Sequence, residues 1–150
     1  MTHGEHVWAL RARLSGRKKV TVYSGKHAIA VGPPLAFSDM EPLPTALELL
    51  FAALAADVIG GFEAACRRRR LRIDSLEVAL TATCEEPLAH VGVRGVDGSP
   101  RVAKGSLTLY VGSDEEESDL LDAWQETLAR APVVETLKTS MDLEMKLRLN

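Results

Sequence analysis

The chain has 150 residues, 46% of them hydrophobic and 26% charged, which is the composition of an ordinary globular domain. Its formal net charge of −3 argues against nucleic-acid binding, because that function needs a concentrated basic surface. The two cysteines, Cys66 and Cys84, form no closely spaced motif, which fits a reducing compartment. We therefore expect one cytoplasmic domain over residues 1–150.

The first third of the chain alternates apolar and polar residues in the manner of β-strands. The alternating apolar positions are Trp8, Leu10, Ala12 and Leu14, then Val20 and Val22, then Ala28 and Ala30. Ser24-Gly25 is a tight-turn signal between the second and third segments. A three-stranded antiparallel meander follows from this pattern. Gly32-Pro33-Pro34 ends it. Residues 35–44 are expected to form an irregular loop, because three prolines occur within residues 34–44.

A long helix is predicted next. Thr45 and Glu48 have the spacing of a capping box, in which each side chain satisfies a backbone donor at the start of a helix. The helix should continue to about Arg70. Residues 49–62 within it are apolar on every side except for one charged residue, Asp57. Such a helix is normally the buried centre of its fold.

Asp57 needs a physical explanation, because an unpaired charge buried in an apolar segment costs several kcal/mol or is neutralised. It is a partnered acid, an interface residue or part of a site. Buried acids generally find a partner, and we favour an arginine on or near the first strands, namely Arg11, Arg13 or Arg17.

No exported or membrane-spanning segment is expected. Met1–Arg13 lacks the apolar core of a signal peptide, and the run 49–62 is short for a membrane span and carries a charge.

The rest of the chain predicts two strands, a helix and a strand. The first two strands are centred on Leu76–Ala82 and Leu107–Val111, with a hairpin-type turn at Asp97-Gly98. Ser113 and Glu116 repeat the capping-box spacing, and Pro132 ends the helix. Alternation over residues 141–149 gives the last strand. The order βββ-α-ββ-α-β indicates an α+β fold, with the long central helix packed on an antiparallel sheet.

Two other groups of residues are weaker candidates for a functional site. The run Arg67–Arg70, with Arg72 beyond it, is read as the solvated end of the long helix, where cations oppose the negative end of the helix dipole. Anion or nucleic-acid binding is the alternative. His3 and His6 resemble half of a metal site, but no pair has ligand spacing together with a carboxylate on a defined element. We expect no metal and no cofactor.

Four segments in this order resemble the OsmC/Ohr family, the osmotically inducible and organic hydroperoxide resistance proteins. They are Glu48–Asp57 (ELLFAALAAD), Arg69–Val78 (RRLRIDSLEV), Gly98–Pro100 (GSP) and Ala131–Leu137 (APVVETL). The first two are similar to the family's central helix, its exit and its following strand. The resemblance covers nearly the whole chain.

The resemblance implies an intertwined homodimer with the long helices at its centre, and a thiol peroxidase. It also places the family's catalytic groups. The peroxidatic cysteine falls at Asp57 and the resolving cysteine at Ala131, so both thiols are missing. The assisting carboxylate falls at Leu47, with Glu48 one step away, and the assisting arginine falls at Arg17.

A carboxylate cannot form the sulfenic intermediate through which a thiol reduces a peroxide. We therefore expect a binding or structural homodimer without peroxidase chemistry, and no catalytic residues. Its pocket would take a small, partly apolar ligand; the expected lining residues are Asp57, Glu48, Leu50, Leu54 and Arg17.

Two alternatives stay open. One is a hydroperoxide reductase that uses Cys66 or Cys84. Cys66 lies nine residues after Asp57, on the opposite side of the predicted helix, and is more typical of a packing residue. The other is a different enzyme with Asp57 as its general base, for which no second catalytic group can be named.

Overall fold

A computed structural model describes residues 4–150 of the chain. His3 lies outside the described residues. The elements, in chain order, are β1 (Leu10–Gly16), β2 (Lys19–Ser24), β3 (His27–Val31), α1 (Ala46–Arg68), β4 (Ser75–Cys84), α2 (Pro87–His90), β5 (Val102–Gly112), α3 (Glu117–Arg130), α4 (Pro132–Leu137) and β6 (Asp142–Leu149).

The described residues fall into two compact units. The first ends at Phe51 and the second runs from Ala52 to Asn150. Helix α1 begins in the first unit and continues into the second. The expectation of a single domain stays a prediction.

In the first unit, β1, β2 and β3 form an antiparallel meander in that order, as predicted. Residues paired across strands share a face of the sheet. The register joins Leu14, Val20 and Val31 on one face and Arg13, Thr21 and Ala30 on the other. The first face is apolar, yet every residue of β1 is exposed within this chain.

The predicted capping box at the start of α1 is present. Thr45 N–H donates to Glu48 Oε2 at 2.7 Å, and Glu48 N–H donates to Thr45 Oγ1 at 3.2 Å. Two donors at the helix start are thereby satisfied. The preceding residues 32–45 form no helix or strand, which confirms the predicted loop.

Helix α1 is not buried on every side, contrary to the expectation from its composition. Leu54, Val58 and Phe62 are in the core, whereas Ala53 and Gly60 are exposed. The helix therefore has one apolar face that this chain leaves uncovered.

By length and composition, α1 is the one helix among residues 4–150 that could cross a membrane. Its most apolar 18-residue window has a mean hydropathy of 1.7, and 28% of that window is buried. The run 49–62 that was considered in the sequence is shorter than this window and did not indicate a possible membrane span. The core helices of soluble proteins meet the same criterion, so it is weak evidence for a membrane span.

The second unit contains a sheet with the order β4-β5-β6. β4 and β5 are antiparallel, but β5 and β6 are parallel. The sheet is therefore mixed, whereas a wholly antiparallel sheet was expected. A parallel neighbour requires a crossover connection, and α3 and α4 provide it.

The core of the second unit lies between this sheet and the helices. Alternate residues of β5, namely Leu107, Leu109 and Val111, are fully buried and belong to the same cluster as the buried side of α1 and α3. The rings of Phe62 and Trp124 meet edge to face with centroids 6.4 Å apart. These contacts fix the position of α3 beside α1.

Two local expectations were wrong, and a third was incomplete. The β4–β5 connection, residues 85–101, contains α2 and is longer than a tight hairpin at Asp97-Gly98. Glu116, not Ser113, precedes the first residue of α3, and no side chain caps that helix; the Ser113 hydroxyl instead donates to the carbonyl of Arg72. Pro132 follows the end of α3, as predicted, but it also begins helix α4, which was not predicted.

Candidate functional site

The carboxylate of Asp57 contacts the start of α4. Its Oδ2 accepts hydrogen bonds from the backbone N–H of Val133 at 2.9 Å and of Val134 at 3.3 Å. The partner of Asp57 is therefore a pair of backbone amides in the same unit. None of the predicted partners, Arg11, Arg13 and Arg17, is needed to satisfy this oxygen.

The local sequence explains why these amides are free. The first N–H groups of a helix have no acceptor within it. Pro132, at the first position of α4, has no N–H group of its own. Ala131 precedes the helix and has no side chain that could cap it. Asp57 performs the capping from α1, and its negative charge also favours the positive end of α4.

A cavity of about 200 Å³ lies beside this contact. It is lined by Asp57, Gly61, Ala64, Arg68, Glu126, Thr127, Arg130, Ala131 and Pro132. The structure thus brings together the two positions, 57 and 131, at which the sequence resemblance places the missing cysteines. Both are in the second unit.

One face of α1 forms a side of the cavity. Gly61, Ala64 and Arg68 follow Asp57 by four, seven and eleven residues, which is the spacing of one helical face. Gly61 also lets α3 approach closely, because a β-carbon at this position would lie 3.3 Å from Thr127 Cγ2. The small residues leave the space that the cavity occupies.

Glu126 binds three arginines at the edge of the cavity. Its Oε1 accepts from Arg68 Nη2 at 2.7 Å and is 3.3 Å from Arg130 Nη1, and its Oε2 is 3.2 Å from Arg69 Nε. The Nε of Arg68 also donates to Oε1. We call Glu126, Arg68, Arg69 and Arg130 the arginine cluster.

The arginine cluster has more positive than negative charges, because three guanidinium groups share one carboxylate. The hydrogen bond from Arg68 is the main cause that lowers the pKa of Glu126, so this group is ionised at neutral pH. The cluster therefore has a net positive charge of two. The sequence placed Arg68 and Arg69 at a solvated helix end, which is correct, but did not connect them with Glu126.

The other predicted pocket residues lie elsewhere. Glu48 is used in the capping box of α1, and Leu50, which is 38% exposed, belongs like Glu48 to the first unit. Arg17 is in the turn between β1 and β2 and is exposed. Leu54 is buried in the core of the second unit and does not line the cavity beside Asp57.

Cys66 is buried in the second unit. Its side chain belongs to the core cluster, with 1% of the residue exposed, and burial raises the pKa of the thiol to about 11. Peroxide reduction needs a thiolate, so this environment opposes reactivity. Cys84 is partly exposed at the end of β4, where its thiol lies 3.5 Å from the carbonyl oxygen of Glu85.

Potential metal ligands are dispersed. Within residues 4–150, no three side chains of His, Cys, Asp or Glu form a group that could hold a metal ion. His6 contacts the ring of Trp8, with the ring centroids 4.3 Å apart.

Comparison with known proteins gives a family and a fold. The profile of a family described as OsmC-like protein matches residues 39–146. No curated protein sequence gives a match. The family match includes Asp57, the arginine cluster and α4.

Solved structures resemble this chain over nearly its full length. An OsmC-like protein from Mycoplasma pneumoniae is 16% identical, with a TM-score of 0.78 over 97% of this chain and 99% of that chain. The organic hydroperoxide resistance protein OhrB of Bacillus subtilis is 17% identical, with a TM-score of 0.63 over 95% and 98%. An organic hydroperoxide resistance protein OsmC from Legionella pneumophila is 7% identical, with a TM-score of 0.65 over 96% and 98%. These likenesses confirm the α+β fold.

Proposed function

The chain belongs to the OsmC-like protein family, and on that premise we propose that it is a homodimeric binding or structural member without thiol-peroxidase chemistry. Relatives of this fold are named as hydroperoxide resistance proteins, which associates the family with oxidative and osmotic stress. The proposed cellular location is the cytoplasm. The bound molecule would be small and partly apolar.

The observation that carries this proposal is the contact between Asp57 and the start of α4. The resemblance assigns a peroxidatic thiol to position 57 and a resolving thiol to position 131. A carboxylate hydrogen-bonded to Val133 and Val134 occupies the first position, and a buried alanine occupies the second. Asp57 therefore caps α4, and neither position has a thiol that could take part in redox chemistry.

The remaining thiols are poor substitutes. Cys66 is buried with a raised pKa, so it is almost entirely protonated at neutral pH. A reductase based on Cys66 or Cys84 is the competing function, and the cysteine variants in the experiment below separate it from the proposal.

Two uncovered apolar surfaces support the proposed homodimer. One is the apolar face of the first-unit sheet, where Leu10, Leu14 and Ile29 are all exposed. The other is the face of α1 that contains Ala53 and Gly60. Exposed apolar surface is typical of protein interfaces, and a second copy of the chain is the proposed partner of each of these two surfaces.

The test combines an activity assay with a search for bound ligand. Purified protein is incubated with cumene hydroperoxide and a dithiol, beside Cys66→Ser and Cys84→Ser. We expect no turnover above the protein-free control in any of the three. Turnover by the wild type that is lost in either variant would instead establish the reductase.

Native mass spectrometry of freshly purified protein tests the binding function. We expect a dimer that carries a small molecule released on denaturation. A dimer that is empty after growth under several conditions would contradict the binding function and leave a structural one.

A further inference from the structure

The charges around the cavity beside Asp57 are arranged in two groups. Asp57 contributes a negative charge next to α4, and the arginine cluster contributes an excess of positive charge through Arg68 and Arg130, which line the same cavity. Glu126, which also lines it, is already shared among its arginines. A ligand that fits both groups needs a cationic part and an anionic part.

We propose that this cavity binds a small zwitterion of the α-amino-acid class, whose ammonium group contacts Asp57 and whose carboxylate contacts Arg68 and Arg130. The inference rests on the proposed binding function and specifies the chemistry of its ligand. No covalent step is involved.

The positive side of the site has hydrogen-bond donors that Glu126 does not occupy. Arg68 donates from Nε and Nη2 to Glu126, which fixes the plane of its guanidinium group and leaves Nη1 free of that contact. Arg130 is bound to Glu126 through Nη1, which leaves its Nε and Nη2. Guanidinium groups are suited to carboxylates because they present several donors in a fixed plane.

The negative side has an oxygen that is available to a ligand. Both hydrogen bonds from α4 end on Oδ2 of Asp57, so Oδ1 can accept from an ammonium group. A simple carboxylate ligand would be attracted by the arginines but repelled by Asp57, whereas a simple amine would experience the reverse. Only the zwitterion gains from both.

The wall between the charged groups favours a short apolar side chain. Gly61, Ala64, Ala131 and Pro132 line the cavity with small or apolar surface, and the volume of about 200 Å³ limits the ligand to a few non-hydrogen atoms beyond its charged groups. Valine matches this description and is the probe for the test.

The experiment compares three probes by isothermal titration calorimetry with the full-length protein at low salt. L-valine has both charged groups, isovalerate lacks the ammonium group, and isobutylamine lacks the carboxylate. We expect L-valine to bind at least tenfold more tightly than either analogue, because each analogue lacks one charge-assisted contact.

Three variants assign the contacts. Arg130→Gln should weaken L-valine binding at least tenfold, and Asp57→Asn should remove the preference for L-valine over isovalerate. Asn retains an oxygen acceptor for the amides of α4, so the fold is preserved. Arg67→Gln is the matched control, because Arg67 pairs with Glu63 and does not line this cavity; its affinity for L-valine should equal that of the wild type.

The possible results distinguish the inference from the function on which it rests. Isovalerate binding as tightly as L-valine, or L-valine binding that Arg130→Gln does not weaken, overturns the zwitterion site but not the binding function. If no probe binds while native mass spectrometry finds another small molecule, the zwitterion inference also fails alone. If no probe binds and the dimer is empty, both fail.

Discussion

The Oδ2 atom of Asp57 accepts a hydrogen bond of 2.9 Å from the backbone N–H of Val133, 76 residues further along the chain. This contact joins the middle of α1 to the first turn of α4. A side chain from one helix thus caps another, since α4 has no capping side chain of its own. The stability of this part of the fold should depend on that carboxylate.

Replacement of Asp57 by alanine should destabilise the protein by about 1–2 kcal/mol, the usual cost of losing a capping side chain. Asp57→Asn should cost less than about 1 kcal/mol, because the amide oxygen still accepts from α4 and only the charge interaction with the helix dipole is lost. Urea denaturation at one fixed protein concentration measures both, since dimer stability depends on concentration. Equal losses for the two variants would contradict a capping role.

The beginning of α1 could be predicted from sequence, whereas the beginning of α3 could not. Thr45 and Glu48 are three residues apart at the start of the helix that they cap, so their spacing in the sequence is sufficient to predict the cap. Ser113 and Glu116 have the same spacing, but the Ser113 hydroxyl donates to the carbonyl of Arg72, 41 residues away. A tertiary hydrogen bond prevailed over the local motif.

The candidate site was predictable only in part. The face of α1 that contains Asp57, Gly61 and Ala64 follows from helical periodicity. The partner of Asp57 does not, because α4 was hidden by reading Pro132 solely as the end of α3, although proline is also favoured at the first position of a helix. The salt bridge between Arg68 and Glu126 depends on how α1 packs against α3, and no local sequence pattern specifies that packing.

Cys66 should react very slowly with Ellman's reagent in the folded protein. With a pKa of about 11, roughly one molecule in 10,000 carries the thiolate at pH 7, and the side chain is buried. We expect fast reaction of no more than one thiol per chain under native conditions and of two in denaturant. Fast reaction of both in the native protein would contradict the buried thiol, and Cys84→Ser identifies which residue reacts.

Because the pKa of Cys66 is raised in the folded state, the free energy of unfolding should change with pH in the alkaline range. The folded state holds the Cys66 proton more tightly than the unfolded chain, whose thiol has the ordinary value of 9.0. The resulting stabilisation is complete below pH 9 and is lost as the pH rises towards 11. Over that interval the wild type should lose up to about 2 kcal/mol more than Cys66→Ala. Parallel curves for the two proteins would contradict this.

Glu126→Gln should lower the melting temperature, because three arginines lose their shared negative charge. The difference in melting temperature between this variant and the wild type should be smaller in 1 M NaCl, since salt screens exposed charges. The pKa of Glu126 is lowered in the folded state, mainly by the hydrogen bond from Arg68. Its stabilisation is therefore present above the ordinary value of 4.5 and should disappear as the pH falls below it.

The control for the arginine cluster is Glu63→Gln. Glu63 forms a single exposed salt bridge with Arg67, and such bridges contribute little to stability. Its melting temperature should stay close to that of the wild type at every salt concentration. Equal shifts for Glu63→Gln and Glu126→Gln would show that the shared carboxylate has no special role.

In the proposed homodimer, the apolar face of the first-unit sheet is part of the interface between the two chains. Leu14 lies on its apolar face with 75% of its surface exposed in the single chain, and a charge there would be buried in the dimer at a cost of several kcal/mol. Leu14→Glu should therefore reduce the mass measured by light scattering from twice the chain's 16.3 kDa to that of one chain. Arg13→Glu places the same charge on the opposite face and should stay dimeric. A wild type that is monomeric at micromolar concentration, or a Leu14→Glu variant that is still dimeric, would contradict the proposed use of this face.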